Sequence, residues 1–524
     1  MKSELEHRLA ALAADSGSVL VGGRKGIERE ALRVGPDGML ATTPHPAALG
    51  SALTNPYITT DFSEALLEFV TPAYTTTWEA LRVLLDIHQF AYSKLDDELL
   101  WAASMPCGIP GDDSEIPLAN YGTSNVGQMK TVYRRGLGYR YGRRMQTIAG
   151  VHFNYSLPDP FWPVFQQVMQ ESGDPGSFRS ERYMGLVRNF RRTGWLLLYL
   201  FGASPALCKS FGDGQQLRLD SLNERTWFAP FGTSLRMSDL GYNNQTQSRL
   251  AISLNSIDEY IRDLSAAIRT PEPKYEAVGV KVGGEYRQLN ANVLQIENEY
   301  YSPIRPKRVI RSGERPTAAL RRGGVEYVEI RLLDLNLFDP CGINQNTMRF
   351  IEAYLVYCLL TDSPPLDDEG LEETKFNQAA TARRGRDPAL RLRRDRAEVS
   401  LADWAREIID DVGAVAETFE LGGDKSCYRE AVEAMRELID DPELTPSARI
   451  ISDLREQQLG FFDYTMSIAS GHRDYFSTID PPNDQRLKVL DEAARESVVQ
   501  QQAIEEADDL SFDEYLERYY AKSQ

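Results

Sequence analysis

The chain has no apolar run long enough to cross a bilayer. Its densest stretch, "GWLLLYLFGASPALC" from Gly194 to Cys208, keeps bulky residues unbroken only from Trp195 to Phe201, far short of the ~20 residues a spanning helix needs. That stretch is expected in the core, and no membrane partner is expected. The N-terminus "MKSELEHRLAALAAD" scatters charges through its apolar positions and has no separate basic and apolar blocks. No signal peptide is read there, and cytoplasmic residence is expected. Cysteine is scarce as well: Cys107, Cys208, Cys341, Cys358 and Cys427 lie far apart and never form a CxxC pair. This excludes a thiolate zinc pattern and suggests reduced thiols without a disulfide framework. Positive charge is short, since 58 basic residues face 77 acidic ones for a formal net charge of -19. A polyanion would be repelled, so nucleic acid is not an expected partner. Neither GxxxxGK[ST] nor a strand-borne GxGxxG occurs, which excludes a P-loop and a dinucleotide fold.

What is present falls into two textures. From about residue 20 to 360, short alternating segments such as "VGVKVGGEYRQLN" mix with helical ones such as "WEALRVLLDIHQFAYSKL" and "SIDEYIRDLSAAIRT", whose apolar residues recur at three and four. The class is α+β. After "LTDSPPLDDEG" the chain becomes acidic, amphipathic and helical, and Pro364 and Pro365 mark the boundary between a catalytic region, 1–362, and a helical region, 363–524. One segment dissents from the acidic balance: "TARRGRDPALRLRRDR", residues 381–396, carries seven arginines. No aromatic interleaves them, so a solvated face interspersed with acids is the preferred reading of 383–396.

The chemistry concentrates in alternating segments. In "GGVEYVEIRLLDLN" Val328, Ile330 and Leu332 fall on one side of an extended chain, with Tyr327, Glu329 and Arg331 on the other. In "GRKGIEREALRV" a strand would turn Glu28 and Glu30 to the same face as Leu32 and Val34, where two carboxylates need cations or protons. A solvent-exposed face, or pairing with Arg24, Arg29 and Arg33, is the plainer explanation. "NPYITTDFSEALLEFVTP" places Asp61 and Glu68 either as a helix cap and a helical acid or, if "LLEFVTP" is a strand, with Glu68 facing as Leu66 does. His152 shares its side of "TIAGVHFNYSL" with Ile148 and Gly150. Together, Glu28, Glu30, Asp61, Glu68, His152 and Glu329 form a ligand kit for a hard divalent cation, and Arg331 and Arg236 are candidate donors for phosphoryl chemistry.

These blocks, with "YGTSNVGQMKTVYRRGL", "LFGASP", "TSLRMSDLGYNN" and "NVLQIENEYYSPIRPKR", closely resemble the proteobacterial type of glutamate–cysteine ligase over roughly residues 20–345. The resemblance implies a glutamine-synthetase-like fold: a curved antiparallel sheet with helices outside. It implies ATP-dependent joining of the γ-carboxylate of glutamate to the amine of cysteine through a γ-glutamyl phosphate, the first step of glutathione synthesis. The alternative is a ligase of the same fold that joins glutamate to a different amine. The resemblance further implies that Glu28, Glu30, Asp61, Glu68, His152 and Glu329 hold Mg2+, or Mn2+ in its place. It puts Arg236 and Arg331 on the phosphate and glutamate side. Tyr133, Arg134, Gln146, Tyr242 and Tyr301 would form the cysteine pocket. Small molecules (glutamate, cysteine and ATP) are the expected partners, and a monomer is the working expectation.

Overall fold

Eleven residues from Arg24 to Val34 make the long strand β1, around which the largest sheet is built. The computed structural model describes residues 4–14, 18–212, 217–241, 250–311, 313–422 and 427–521. In chain order β2 (Ile58–Thr60), β3 (Leu66–Val70), β4 (Leu99–Leu100) and β5 (Val151–Ser156) follow. Next come a small three-stranded sheet of β6 (Ala206–Cys208), β7 (Asp220–Ser221) and β8 (Thr226–Phe228), and the hairpin β9 (Lys281–Val282)/β10 (Glu285–Tyr286). β11 (Ile304–Lys307) and β12 (Tyr327–Leu333) complete the large sheet, whose order is β11-β12-β5-β1-β3-β2 with β4 paired to the end of β1. Every pairing in it is antiparallel.

Register turns alternation into two faces. Glu30 lies opposite Glu68, Glu28 opposite His152, and Glu329 opposite both Asn154 and Arg305. Polar side chains from five strands therefore share one face. The other face carries Ile27, Ala31, Phe153, Val328 and Ile330, all fully buried, each larger side chain contributing about 1.5–3 kcal/mol by leaving water. Helix Thr77–Tyr92 packs on β1 and β3, Pro175–Thr193 on β11 and β12, and Trp195–Phe201 on β12. Behind them runs Gln345–Leu360, whose Glu352 reaches Lys25 of β1 at 2.8 Å, both side chains out of solvent.

The helical region does not stand apart from this core. Helix Leu401–Leu421 packs on Gln345–Leu360, Phe461–Thr478 on Thr77–Tyr92, and Phe512–Ala521 on Asn125–Tyr141. The arginine-rich stretch ends helix Asp368–Arg384 and then folds as a hairpin, β13 (Arg391–Arg394) on β14 (Ala397–Ser400). Its arginines meet acids: Arg383 with Asp239, Arg384 with Asp387, Arg394 with Glu407 and Arg396 with Glu369. Among the described residues no helix is long and apolar enough to cross a membrane.

The thiol expectation needs correcting. Cys107 and Cys208 are joined as a disulfide, with Cα atoms 5.7 Å apart, while Cys341, Cys358 and Cys427 are free. The bridge joins segments 101 residues apart, a separation at which no local spacing pattern exists to be seen. The arginine pairing weighed for Glu28 and Glu30 is also not what forms. Arg29 and Arg33 are buried, and Arg33 binds Glu98 at 2.6 Å.

Candidate active site

A cavity of about 560 Å3 opens on the polar face of the large sheet. Every residue singled out from the sequence lines it except Tyr242, which lies outside the described residues. Glu28, His152 and Glu329 bring one ligand atom each within 4.8 Å of one another. The imidazole of His152 sits between two carboxylates, Nδ1 at 2.9 Å from Glu28 and Nε2 at 3.6 Å from Glu30. Glu30 is fixed in turn by the backbone N–H of Gly150, which donates to it at 2.6 Å. A side chain on Gly150 would put its Cβ 2.1 Å from Arg236 Nη2, so only glycine lets the guanidinium pass.

Crowding of like charge sets the electrostatics. Burial and the neighbouring carboxylates Glu28, Asp61 and Glu30 push Glu68 well above the usual carboxylate range. Burial likewise raises Glu30, with Asp61 adding to the effect. Glu329 behaves in the opposite way: burial opposes its charge, but Lys307, Arg331 and Arg305 outweigh it and hold the carboxyl well below that range. These cations stand at 3.3, 3.4 and 3.8 Å from its oxygens. Glu329 Oε2 is nonetheless buried without a hydrogen-bond partner. Clustered carboxylates, one imidazole and an orphaned carboxylate oxygen fit magnesium or manganese, which take hard oxygen ligands with occasional nitrogen.

The far wall belongs to helix Asn125–Tyr141, capped by Ser124, whose hydroxyl accepts from the Gly127 N–H. Tyr133, Arg134, Leu137, Arg140 and Tyr141 line the cavity at the three- and four-residue spacing of one helical face. Arg134 is held by the Asp61 carbonyl through Nε and lies over the ring of Tyr121 at 4.6 Å. Arg140 pairs with Glu299 at 3.0 Å, and Tyr141 donates to the same carboxylate at 2.6 Å. The short turn Arg144–Thr147 presents Met145 and Gln146, and Tyr301 closes the side, its hydroxyl 3.0 Å from Met237 Sδ. Arg236 Nη2 donates to the Arg331 carbonyl at 2.9 Å, which ties the two candidate phosphoryl donors together.

Reasoning from sequence missed Arg140, Tyr141, Glu299, Arg305 and Lys307. For Arg140 and Tyr141 the signal was present as helical spacing from Tyr133. For Arg305 and Lys307 it was the alternation in "IRPKR", interrupted by Pro306, which a strand tolerates at a sheet edge, where β11 lies.

The family model described as glutamate-cysteine ligase matches residues 9–381. Curated relatives bear the same name: the protein of Alcanivorax borkumensis is 51% identical, with 98% of this chain and 99% of that protein aligned. That of Pseudomonas paraeruginosa is 46% identical over 99% of this chain and 98% of its own. The crystal structure of a Francisella tularensis glutamate–cysteine ligase in complex with AMP superposes with a TM-score of 0.90 at 37% identity, covering 96% of this chain and 98% of that one. A bifunctional glutathione synthetase from Pasteurella multocida superposes at 0.72 and 25% identity, over 91% of this chain and 55% of that one.

Proposed function

Because this chain belongs to the glutamate–cysteine ligase family, we propose that the cavity on the large sheet is where its three substrates meet, with each wall serving one of them. The protein joins the γ-carboxylate of L-glutamate to the amine of L-cysteine with ATP as co-substrate, the first step of glutathione synthesis. A γ-carboxylate oxygen attacks the γ-phosphorus of ATP, and ADP leaves. The cysteine amine then attacks the acyl carbon of the γ-glutamyl phosphate, loses a proton and expels phosphate. A bound magnesium, or manganese, would be held by Glu28, His152 and Glu329 with Glu30, Asp61 and Glu68 beside them, and would supply positive charge for the phosphoryl transfer.

The chain's own residues do the rest. Arg331, with Arg236 locked to its backbone, aims fixed donors at the transferring phosphoryl group, where developing charge is stabilised without reorganisation. Arg305 and Lys307 extend that cationic wall along β11. On the opposite side Arg134 meets the α-carboxylate of cysteine, and Tyr133, Gln146, Tyr242 and Tyr301 enclose its short side chain. The helical region 363–524 serves as a scaffold wrapped around the catalytic region 1–362. One observation carries this reading: five strands deliver carboxylates, an imidazole and guanidiniums to one cavity, opposite a wall of tyrosine and arginine.

The test is phosphate release measured with ATP, glutamate and cysteine, each omitted in turn, alongside Arg134→Lys. Release should need all three substrates. The lysine variant should raise the KM for cysteine far more than that for glutamate, because a point charge cannot replace the guanidinium fork. An equal rise for both would move Arg134 out of the acceptor pocket.

A further inference from the structure

One buried ring ties the helix wall of the cavity to its carboxylate side. Tyr121 is not among the residues that line the cavity. The guanidinium carbon of Arg134 lies 4.6 Å from its ring centroid and Lys130 Nζ, one helical turn earlier, lies 5.1 Å from it, distances at which a ring face attracts cations. The Tyr121 hydroxyl accepts from Thr60 Oγ1 at 3.1 Å, donates to the Thr60 carbonyl at 2.6 Å and stands 3.1 Å from the Asp61 carbonyl. Arg134 reaches the same two carbonyls, Asp61 through Nε and Thr60 through Nη2 at 3.5 Å, and its Nη1 donates to the Lys130 carbonyl at 3.1 Å. A guanidinium has five N–H donors. With these three engaged, one remains on each terminal nitrogen, enough to meet a carboxylate with two hydrogen bonds.

The backbone around the ring is fixed from two sides. The Ala119 N–H donates to the Phe62 carbonyl at 3.1 Å, and Thr131 Oγ1 donates to the Ala119 carbonyl at 3.1 Å. The stretch before Tyr121 is thus bonded both to the residue after Asp61 and to helix Asn125–Tyr141. A Cβ on Gly127 would come 2.3 Å from the Tyr121 carbonyl, so only glycine lets the first turn of that helix rest there. We propose that Tyr121 is a positioning residue that locks Arg134 to the backbone of Asp61, so that an acceptor bound at Arg134 and a divalent cation bound beside Asp61 strengthen one another.

This rests on the reading of Arg134 as the acceptor's contact and of Asp61 as a flank of the metal cluster. Arg134 holds the Asp61 carbonyl, while the Asp61 side chain lines the cavity, near enough to Glu30 and Glu68 for its charge to raise both carboxyls. An acceptor carboxylate on the free edge of Arg134 restricts the guanidinium. The guanidinium restricts the Asp61 backbone, and a settled backbone presents the Asp61 carboxylate in one place. A cation that draws on that carboxylate settles the same backbone and, through it, the guanidinium, so whichever ligand comes second finds the ordering already done. The coupling is reciprocal, each ligand raising the other's affinity by the same factor. Without the ring beneath it, Arg134 loses the surface that fixes its plane, and the two ends move independently.

The experiment uses the full chain with glutamate and the non-hydrolysable β,γ-imido analogue of ATP present throughout, so that no turnover occurs. Mn2+ is titrated by paramagnetic resonance with and without saturating 2-aminobutyrate, an acceptor without a thiol, against a blank lacking protein. In the parent the acceptor should tighten Mn2+ binding about 5-fold or more, the lower end of couplings between sites. Tyr121→Leu removes ring and hydroxyl and should bring that factor below about 2-fold, with Tyr121→Phe between, since it keeps the ring under Arg134. Both variants should fold, because Tyr121 packs with Ala52 and Ala119 in a small cluster apart from the main core. Their Mn2+ affinity without acceptor should match the parent's, whereas damage to the metal side would weaken binding equally with and without it. Equal weakening, a parent whose Mn2+ affinity ignores the acceptor, or parent-like coupling in Tyr121→Leu overturns the proposal. Arg134→Lys separates the two readings through the KM values. If it raises the KM for 2-aminobutyrate no more than that for glutamate, the acceptor assignment fails and the coupling with it. If the acceptor KM rises selectively while the parent shows no coupling, the coupling alone fails.

Discussion

Glu329 combines a charge-holding cage of Lys307, Arg331 and Arg305 with an oxygen that no hydrogen bond satisfies. Glu329→Gln keeps the shape and removes the charge. It should cut turnover by at least ~100-fold, as loss of a preorganised electrostatic group does, and weaken Mn2+ binding followed by paramagnetic titration. Parent-like Mn2+ affinity would take Glu329 out of the ligand set. Arg331→Met keeps the aliphatic stem, so its effect isolates the guanidinium. kcat should fall strongly while the KM values for ATP and glutamate move little, because the interaction strengthens only as charge develops on the transferring group. An unchanged kcat would shift that role to Arg236. Both residues were legible in the sequence because period two in "VEYVEIRLL" separates a buried face from a chemical one. The pairing of Arg140 with Glu299 was not, since helical spacing can place Arg140 on the cavity face but cannot name a partner in the short turn Glu297–Glu299, far away in the chain.

Strand β1 shows where legibility ends at the scale of elements. Its alternation announced the strand and a shared face for its acids, but Arg29 and Arg33, weighed as partners of those acids, are buried on other terms, and so is Lys25. Their partners come from elsewhere in the chain: Glu352 for Lys25 and Glu98 for Arg33. Tyr428 also donates to Glu352 at 2.7 Å. Burial raises the Glu352 carboxyl above its ordinary 4.5, although Lys25 and the hydrogen bonds oppose it. In the window above 4.5 the folded state thus holds this proton more tightly than the unfolded chain, and stability from this group falls as pH rises through its folded value. Lys25→Met removes the counter-ion and should cost about 3–5 kcal/mol near neutrality, with a smaller deficit near pH 5, where the lone acid can be protonated. Urea unfolding at pH 5 and pH 8 measures this; equal deficits would show that Glu352 is not the group being titrated.

Taken whole, the molecule closes on itself at its C-terminal end. Helix Phe512–Ala521 rests on helix Asn125–Tyr141 through a small cluster of Met129, Val132, Leu289 and Leu516, which Tyr133 also touches. Asn125 Nδ2 donates to the Leu510 carbonyl at 3.0 Å, and Tyr520 donates to the Gln295 carbonyl at 2.8 Å. This cluster is separate from the main core, so deletion of residues 510–524 should leave a folded protein with a loosened acceptor wall. The KM for cysteine should rise, glutamate should be little affected, and amide exchange should quicken within 125–141. Unchanged exchange there would show that the wall stands without its strap. Such docking was beyond the sequence reading, which saw an acidic amphipathic tail but not the surface it covers. Its consequence reaches into biosynthesis. A ribosome adding about 5–20 residues per second exposes Tyr133 and Arg134 tens of seconds before the helix that steadies them exists, so a nascent chain carries the acidic sheet face and a slack helix wall until its last segment emerges. On the proposed assignment of that wall to cysteine, products of premature termination near the 3′ end of the message should hold cysteine poorly while the rest of the cavity stands, as the KM values of the 510–524 deletion would measure.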